Sequence, residues 1–104
     1  MIVVCADIPR SSRRYKERGQ DLYCIQDTAA AIQNMLLSVE NLGLGACWIG
    51  AFDEKNCTEV LRLPSYLRPV ALIPIGYPAD KPLPTQRRSV EEVTTFINKD
   101  TVKR

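Results

Sequence analysis

The stretch from Ile25 to Val39 constrains this chain most. Ile25, Ala29, Ile32, Leu36 and Val39 recur at three- and four-residue steps, the period of one face of an α-helix. Ala30, Ala31, Met35 and Leu37 make the remaining faces apolar too. A helix that is apolar on several sides must be covered on several sides, so it belongs at the centre of a domain or in a subunit interface. The whole chain has 104 residues, a size that buries only roughly two-thirds of its unfolded surface. Self-association would supply the cover that the chain lacks. Asp27 reads as the helix start, Asn34 as a buried hydrogen-bonding group, and Gly43 as a left-handed cap at its end.

The flanking segments alternate with this helix. Ile2-Val3-Val4-Cys5-Ala6 is β-branched and strand-like, and a chain that opens inside such a strand points to an upstream part that is supplied elsewhere or lost. Residues 9–21 read as a polar, Arg-rich connection. Ala46 to Ile49 is short and apolar between glycines, as a strand would be, and Asp53 starts a second helix that runs past Val60 and Leu61 and stops before Pro64. Val70 to Tyr77 is another strand, with Pro74 at an irregular or edge position because it lacks a donor. Pro78 to Pro84 forms an exposed loop. Ser89 and Glu92 give a capping box for a last helix through Val93, Phe96 and Ile97. With neither repeat nor linker, residues 1–104 read as one domain of mixed α and β layers, with 99–104 a frayed tail.

Composition excludes several kinds of function. Fourteen Lys and Arg against twelve Asp and Glu leave a net charge of +2, too little for a nucleic-acid binder. Arg10, Arg13, Arg14, Lys16 and Arg18 crowd one segment, read as a solvated loop face. No apolar run approaches the roughly 20 residues of a membrane span, so the expectation is a cytoplasmic protein without membrane contact. Cys5, Cys24, Cys47 and Cys57 are scattered and there is no His, which leaves no zinc spacing and no imidazole for Ser-His-Asp or Cys-His catalysis. The thiols read as reduced and mostly buried, no metal is expected, and no side chain is assigned a catalytic proton transfer. An enzyme of this composition would leave the hard chemistry to a cofactor.

Three linked stretches resemble the flavin-dependent nitroreductase family: Gln26 to Met35, Leu42-Gly43-Leu44-Gly45-Ala46-Cys47-Trp48-Ile49-Gly50-Ala51-Phe52, and Arg68-Pro69-Val70-Ala71-Leu72-Ile73-Pro74-Ile75-Gly76-Tyr77-Pro78. The resemblance covers Ile2 to about Ile97 and corresponds to the C-terminal part of the family sequence. It implies an α+β fold built as an intertwined homodimer, with FMN at the subunit interface. NADH or NADPH would be the electron donor and a nitroaromatic, quinone or similar small molecule the acceptor. By position, Trp48, Ile49, Gly50 and Ala51 match the segment along the isoalloxazine ring. Thr85, Gln86, Arg87 and Arg88 fall where the family places basic contacts to the FMN phosphate, Arg87 being favoured, and an Arg fork suits phosphate oxygens.

The family's usual opening helix, rich in Arg and Ser, does not precede Ile2. Arg10-Ser11-Ser12-Arg13-Arg14 follows a strand instead, so that role is not transferred to it. The alternative function is a non-catalytic or partner-dependent scaffold subunit with weak or no flavin binding. The plainer readings of single residues stand beside these: Trp48 and Phe52 as packing anchors, Gly43 and Asp53 as caps, and Arg87-Arg88 as a basic pair on a loop.

Overall fold

The computed structural model describes residues 1–98; the expected frayed tail, 99–104, lies outside them. The element order is β1 (Ile2–Asp7), α1 (Ile8–Arg18), a π-helical turn (Gly19–Tyr23), α2 (Cys24–Asn41), β2 (Gly45–Ala46), α3 (Glu54–Leu61), β3 (Leu67–Ile73), β4 (Ile75–Gly76) and α4 (Val90–Val93).

β1 and β3 pair antiparallel, from Ile2 opposite Ile73 to Asp7 opposite Leu67, with a register shift between Val4 and Cys5. Val4 faces Ala71 and Cys5 faces Pro69, so Val70 is the extra residue of a β-bulge. Pro69 sits at this irregularity, where its missing N–H costs no regular ladder bond. On one face of the pair, Val4, Ala71 and Ile73 close over Ile32 of α2 to form the core, with Met35, Leu36, Val70 and Ile75 packed around it. On the other face, Val3 and Leu72 meet Cys57, Val60 and Leu61 of α3 across an apolar cleft of about 320 Å³. The result is a helix–sheet–helix arrangement in which α2 is the thicker cover.

α2 ends as expected. Gly43 has φ of +70°, its N–H donates to Glu40 O, and the Leu44 N–H donates to Val39 O. These two bonds satisfy carbonyls the helix would otherwise leave open, and a left-handed Gly makes the reversal without a Cβ clash. Its start differs: α2 begins at Cys24, and Asp27 lies in the first turn rather than at the cap. The preceding residue Tyr23 already has helical dihedrals, because the chain enters α2 straight from the π-helical turn. No side-chain cap is required there. Asn34 is exposed, not buried.

Residues 9–21 are helical instead of a loose connection. The Asp7 carboxylate accepts a hydrogen bond from Arg10 N at 3.2 Å, and Pro9 stands in the first turn, where its missing N–H goes unused. The helical run is broken at Lys16, with φ of +54°, before the π-helical turn brings Gly19 against Ser11. A Cβ on Gly19 would come within 2.4 Å of Ser11 O, so glycine is required at that contact. The basic cluster is held by aromatics: the Arg14 and Arg18 guanidinium groups lie 5.4 Å from the Tyr15 and Tyr23 ring centres, and the two rings meet edge to face at 5.2 Å.

β2 is shorter than expected, Trp48 lies beyond it, and Ile49 returns as a single bridge to Leu72. The ladder breaks at Pro74 as predicted, between β3 and β4. Asp53 caps α3, accepting from Asn56 N at 2.9 Å. The Ser89–Glu92 capping box forms, but α4 stops at Val93 and leaves Phe96 and Ile97 outside the helix and exposed. Of the thiols only Cys24 is buried; Cys5 and Cys57 are half-buried and Cys47 is exposed.

Candidate functional site

The passage from Cys47 to Phe52 leaves β2, runs beside β3 and enters α3. Its backbone is fixed to β3 at Ile49, whose N–H donates to Leu72 O at 2.9 Å and whose O accepts from Leu72 N at 3.0 Å. A longer contact of 3.4 Å joins Cys47 N to Pro74 O. Extended chain turns successive side chains to opposite sides, so Ile49 is half-buried between exposed Trp48 and Gly50; Ala51, beyond the bridge, is exposed too. Trp48 retains 42% of its accessible surface and is not a core anchor of this chain.

Beyond Ile49 the passage borders a cleft of about 220 Å³, lined by Gly50, Phe52, Ile25, Pro69 and Val70 together with the charged pair Glu54 and Arg68. Gly50 is informative here because nothing among the described residues requires it to be glycine. Its φ is not in the left-handed range, and a Cβ built on it would meet no atom within 4 Å beyond its immediate neighbours. Backbone bared in this way admits close approach by a group that is not part of this chain.

Glu54 and Arg68 form the polar wall of the cleft. Arg68 Nε donates to Glu54 Oε1 at 2.7 Å and Nη2 to Oε2 at 3.4 Å. The hydrogen bond and charge of Glu54 push the guanidinium pKa above its ordinary value, with burial opposing them weakly. Neither residue was given a role from the sequence. The available signal was a lone cation inside the otherwise apolar run from Leu67 to Ile73.

Arg87 and Arg88 lie on the exposed segment before α4 and do not line the cleft at Gly50. The Arg87 guanidinium folds back on its own loop, donating to the Thr85 hydroxyl and to the Gln86 carbonyl, the latter at 3.3 Å. Gly50 is thus the one expected contact that the fold places on this cleft. Among the described residues no group of His, Cys, Asp and Glu is arranged to hold a metal, and no helix is long and apolar enough to cross a membrane.

The nitroreductase family model matches residues 1–77. The chain belongs to the nitroreductase family. It is 40% identical to an oxygen-insensitive NADPH nitroreductase of Salmonella typhimurium, over 77% of this chain and 36% of that protein. It is 30% identical to an FMN reductase (NADPH) of Bacillus subtilis, over 94% of this chain and 46% of the relative. Among solved structures, a nitroreductase family protein from Streptococcus pneumoniae superposes with a TM-score of 0.76 at 29% identity, covering 86% of this chain and 44% of that one. The chain spans less than half the length of these relatives. As a mixed helix-and-sheet fold of the nitroreductase type, the architecture agrees with the α+β expectation.

Proposed function

We propose that this chain acts as an FMN-dependent oxidoreductase of the nitroreductase type. The observation that carries the reading is Gly50: a glycine free of steric or conformational need, on a passage pinned to β3, beside a cleft with one apolar wall and one charged wall. FMN would supply two-electron chemistry, taking hydride from NADH or NADPH and delivering it to a nitroaromatic, quinone or similar small acceptor. The residues present suit that group in part. Trp48, Ile49, Gly50 and Ala51 would lie along the ring, where main-chain N–H groups can favour the reduced form without a titrating side chain, and Arg87 or Arg88 would hold the phosphate. The names of the relatives, an NADPH nitroreductase and an FMN reductase, support this assignment.

One chain does not enclose such a ligand. A cleft of about 220 Å³ falls below the ~300–1,000 Å³ of typical small-molecule sites, so a second protomer is proposed to complete it in a homodimer. A cytoplasmic location belongs to the same proposal. The second reading, a scaffold subunit with weak or no flavin binding, draws on this small cleft and on the short span relative to the relatives. Reconstitution separates the two. Protein that takes up FMN and bleaches anaerobically with NADH or NADPH establishes the enzyme; protein that stays colourless in excess FMN establishes the scaffold.

A further inference from the structure

Two attachments to β3 hold the ends of the passage that carries Gly50. The first is the paired backbone bond between Ile49 and Leu72, at 2.9 and 3.0 Å; the second is the Glu54–Arg68 ion pair, at 2.7 Å. Leu72 and Arg68 are four residues apart on the strand, a spacing of roughly 13 Å at strand rise. Ile49 and Glu54 are five residues apart, which reaches at most roughly 17 Å when fully extended. Gly50, Ala51, Phe52 and Asp53 therefore cross between two points of one strand, the first held by backbone and the second through the Glu54 and Arg68 side chains. Asp53 adds stiffness at the far end by capping α3, so the position of the first turn of α3 sets the direction in which Gly50 presents its backbone.

We infer that Arg68 is a positioning residue: by gripping Glu54 it fixes α3 against β3 and aims the Gly50–Phe52 backbone into the cleft. The inference rests on the proposed flavin reading for its functional consequence, but not for its structural one. Half-exposed ion pairs add little to global stability; side-chain exposures of 51% and 44% place this pair in that class. Its contribution is geometric, since the planar guanidinium fork meets both carboxylate oxygens at once. Lysine offers a single point charge and does not reproduce that fork.

The test uses Arg68→Gln, Arg68→Lys, Glu54→Gln and the Arg68→Gln/Glu54→Gln double variant, each as the full chain. In ligand-free protein, amide hydrogen exchange at Asn56 and Cys57, whose N–H groups are bonded to Asp53, is expected to accelerate about two- to fivefold in every variant, with the amides of Ile32 and Ile73 unchanged. In FMN titrations each single variant is expected to bind about two- to fivefold more weakly, with the double variant no worse than either single one. Unchanged exchange at Asn56 and Cys57 overturns the inference. So does additivity in the double variant, because Arg68 would then act on the ligand directly and not through Glu54. Wild-type protein that fails to take up FMN while the variants still loosen the passage would overturn the flavin reading and leave the clamp standing.

Discussion

Gly50 separates what the fold needs from what a ligand would need. Because a Cβ at this position enters open space, Gly50→Val is expected to change stability by no more than about 0.5 kcal/mol, the range of substitutions that touch nothing. The same two methyl groups would stand between the backbone and any planar ring brought against it. FMN affinity is therefore expected to fall at least tenfold while the thermal midpoint stays in place. A Gly50→Val protein that binds FMN as the wild type does would remove the observation on which the proposed function rests. Trp48 is less discriminating, since an exposed indole is equally suited to a protein partner.

At the scale of elements, the ends of α2 and α3 obey the same rule with different residues. α2 closes on Gly43, whereas α3 closes on Arg62 at φ of +51°, with Arg62 N–H donating to Glu59 O and Leu63 N–H to Thr58 O. The left-handed conformation costs a residue with a Cβ about 1–2 kcal/mol. Glycine would relieve that cost but lose about 0.5–1 kcal/mol to the greater freedom of the unfolded chain. The first quantity is larger, so Arg62→Gly is expected to stabilise the protein by roughly 0.5–1 kcal/mol; denaturant melts showing a loss would contradict the strain assigned to Arg62. Such cap chemistry is why α3, the end of α2 and the Ser89 box were legible in the sequence: each is decided by residues within four positions of one another. α1 was not legible because its signal is not hydrophobic. It has no buried residue, and its helical state follows from Asp7, from Pro9 and from long charged side chains that helices tolerate well. The start of α2 was misplaced for a related reason, since a helix entered from a π-helical turn leaves no capping signature. The Arg68–Glu54 wall is not legible locally because it joins positions fourteen residues apart that only the packing of α3 on β3 brings together. By contrast the Gly50 passage was legible through linked motifs, while the Arg87–Arg88 placement depends on an arm whose path no local pattern specifies.

At the scale of the whole molecule, the chain is more open than a compact domain of its length. Its Cα radius of gyration is 18.3 Å, against about 13 Å for a compact domain of this length. Its accessible surface is 9100 Å², against roughly 5,900 Å² for a folded monomer of this mass. Much of the excess lies on the segment after β4, where Tyr77, Leu83, Val90, Phe96 and Ile97 are exposed, and some lies on α2, where Leu37 is uncovered. Exposed apolar area of this kind is what an interaction surface would use, and the homodimer proposed for the ligand site would cover it. Light scattering is accordingly expected to give about twice the 11.7 kDa chain mass. Placing charges on the arm by Phe96→Asp with Ile97→Asp should shift the protein toward monomer, because unpaired carboxylates are costly to bury. If the second protomer completes the cleft, FMN uptake must fall in step with the dimer fraction across a dilution series. A wild-type chain that is monomeric at all concentrations yet binds FMN tightly would break that link, leaving the open arm without the partner argued for it.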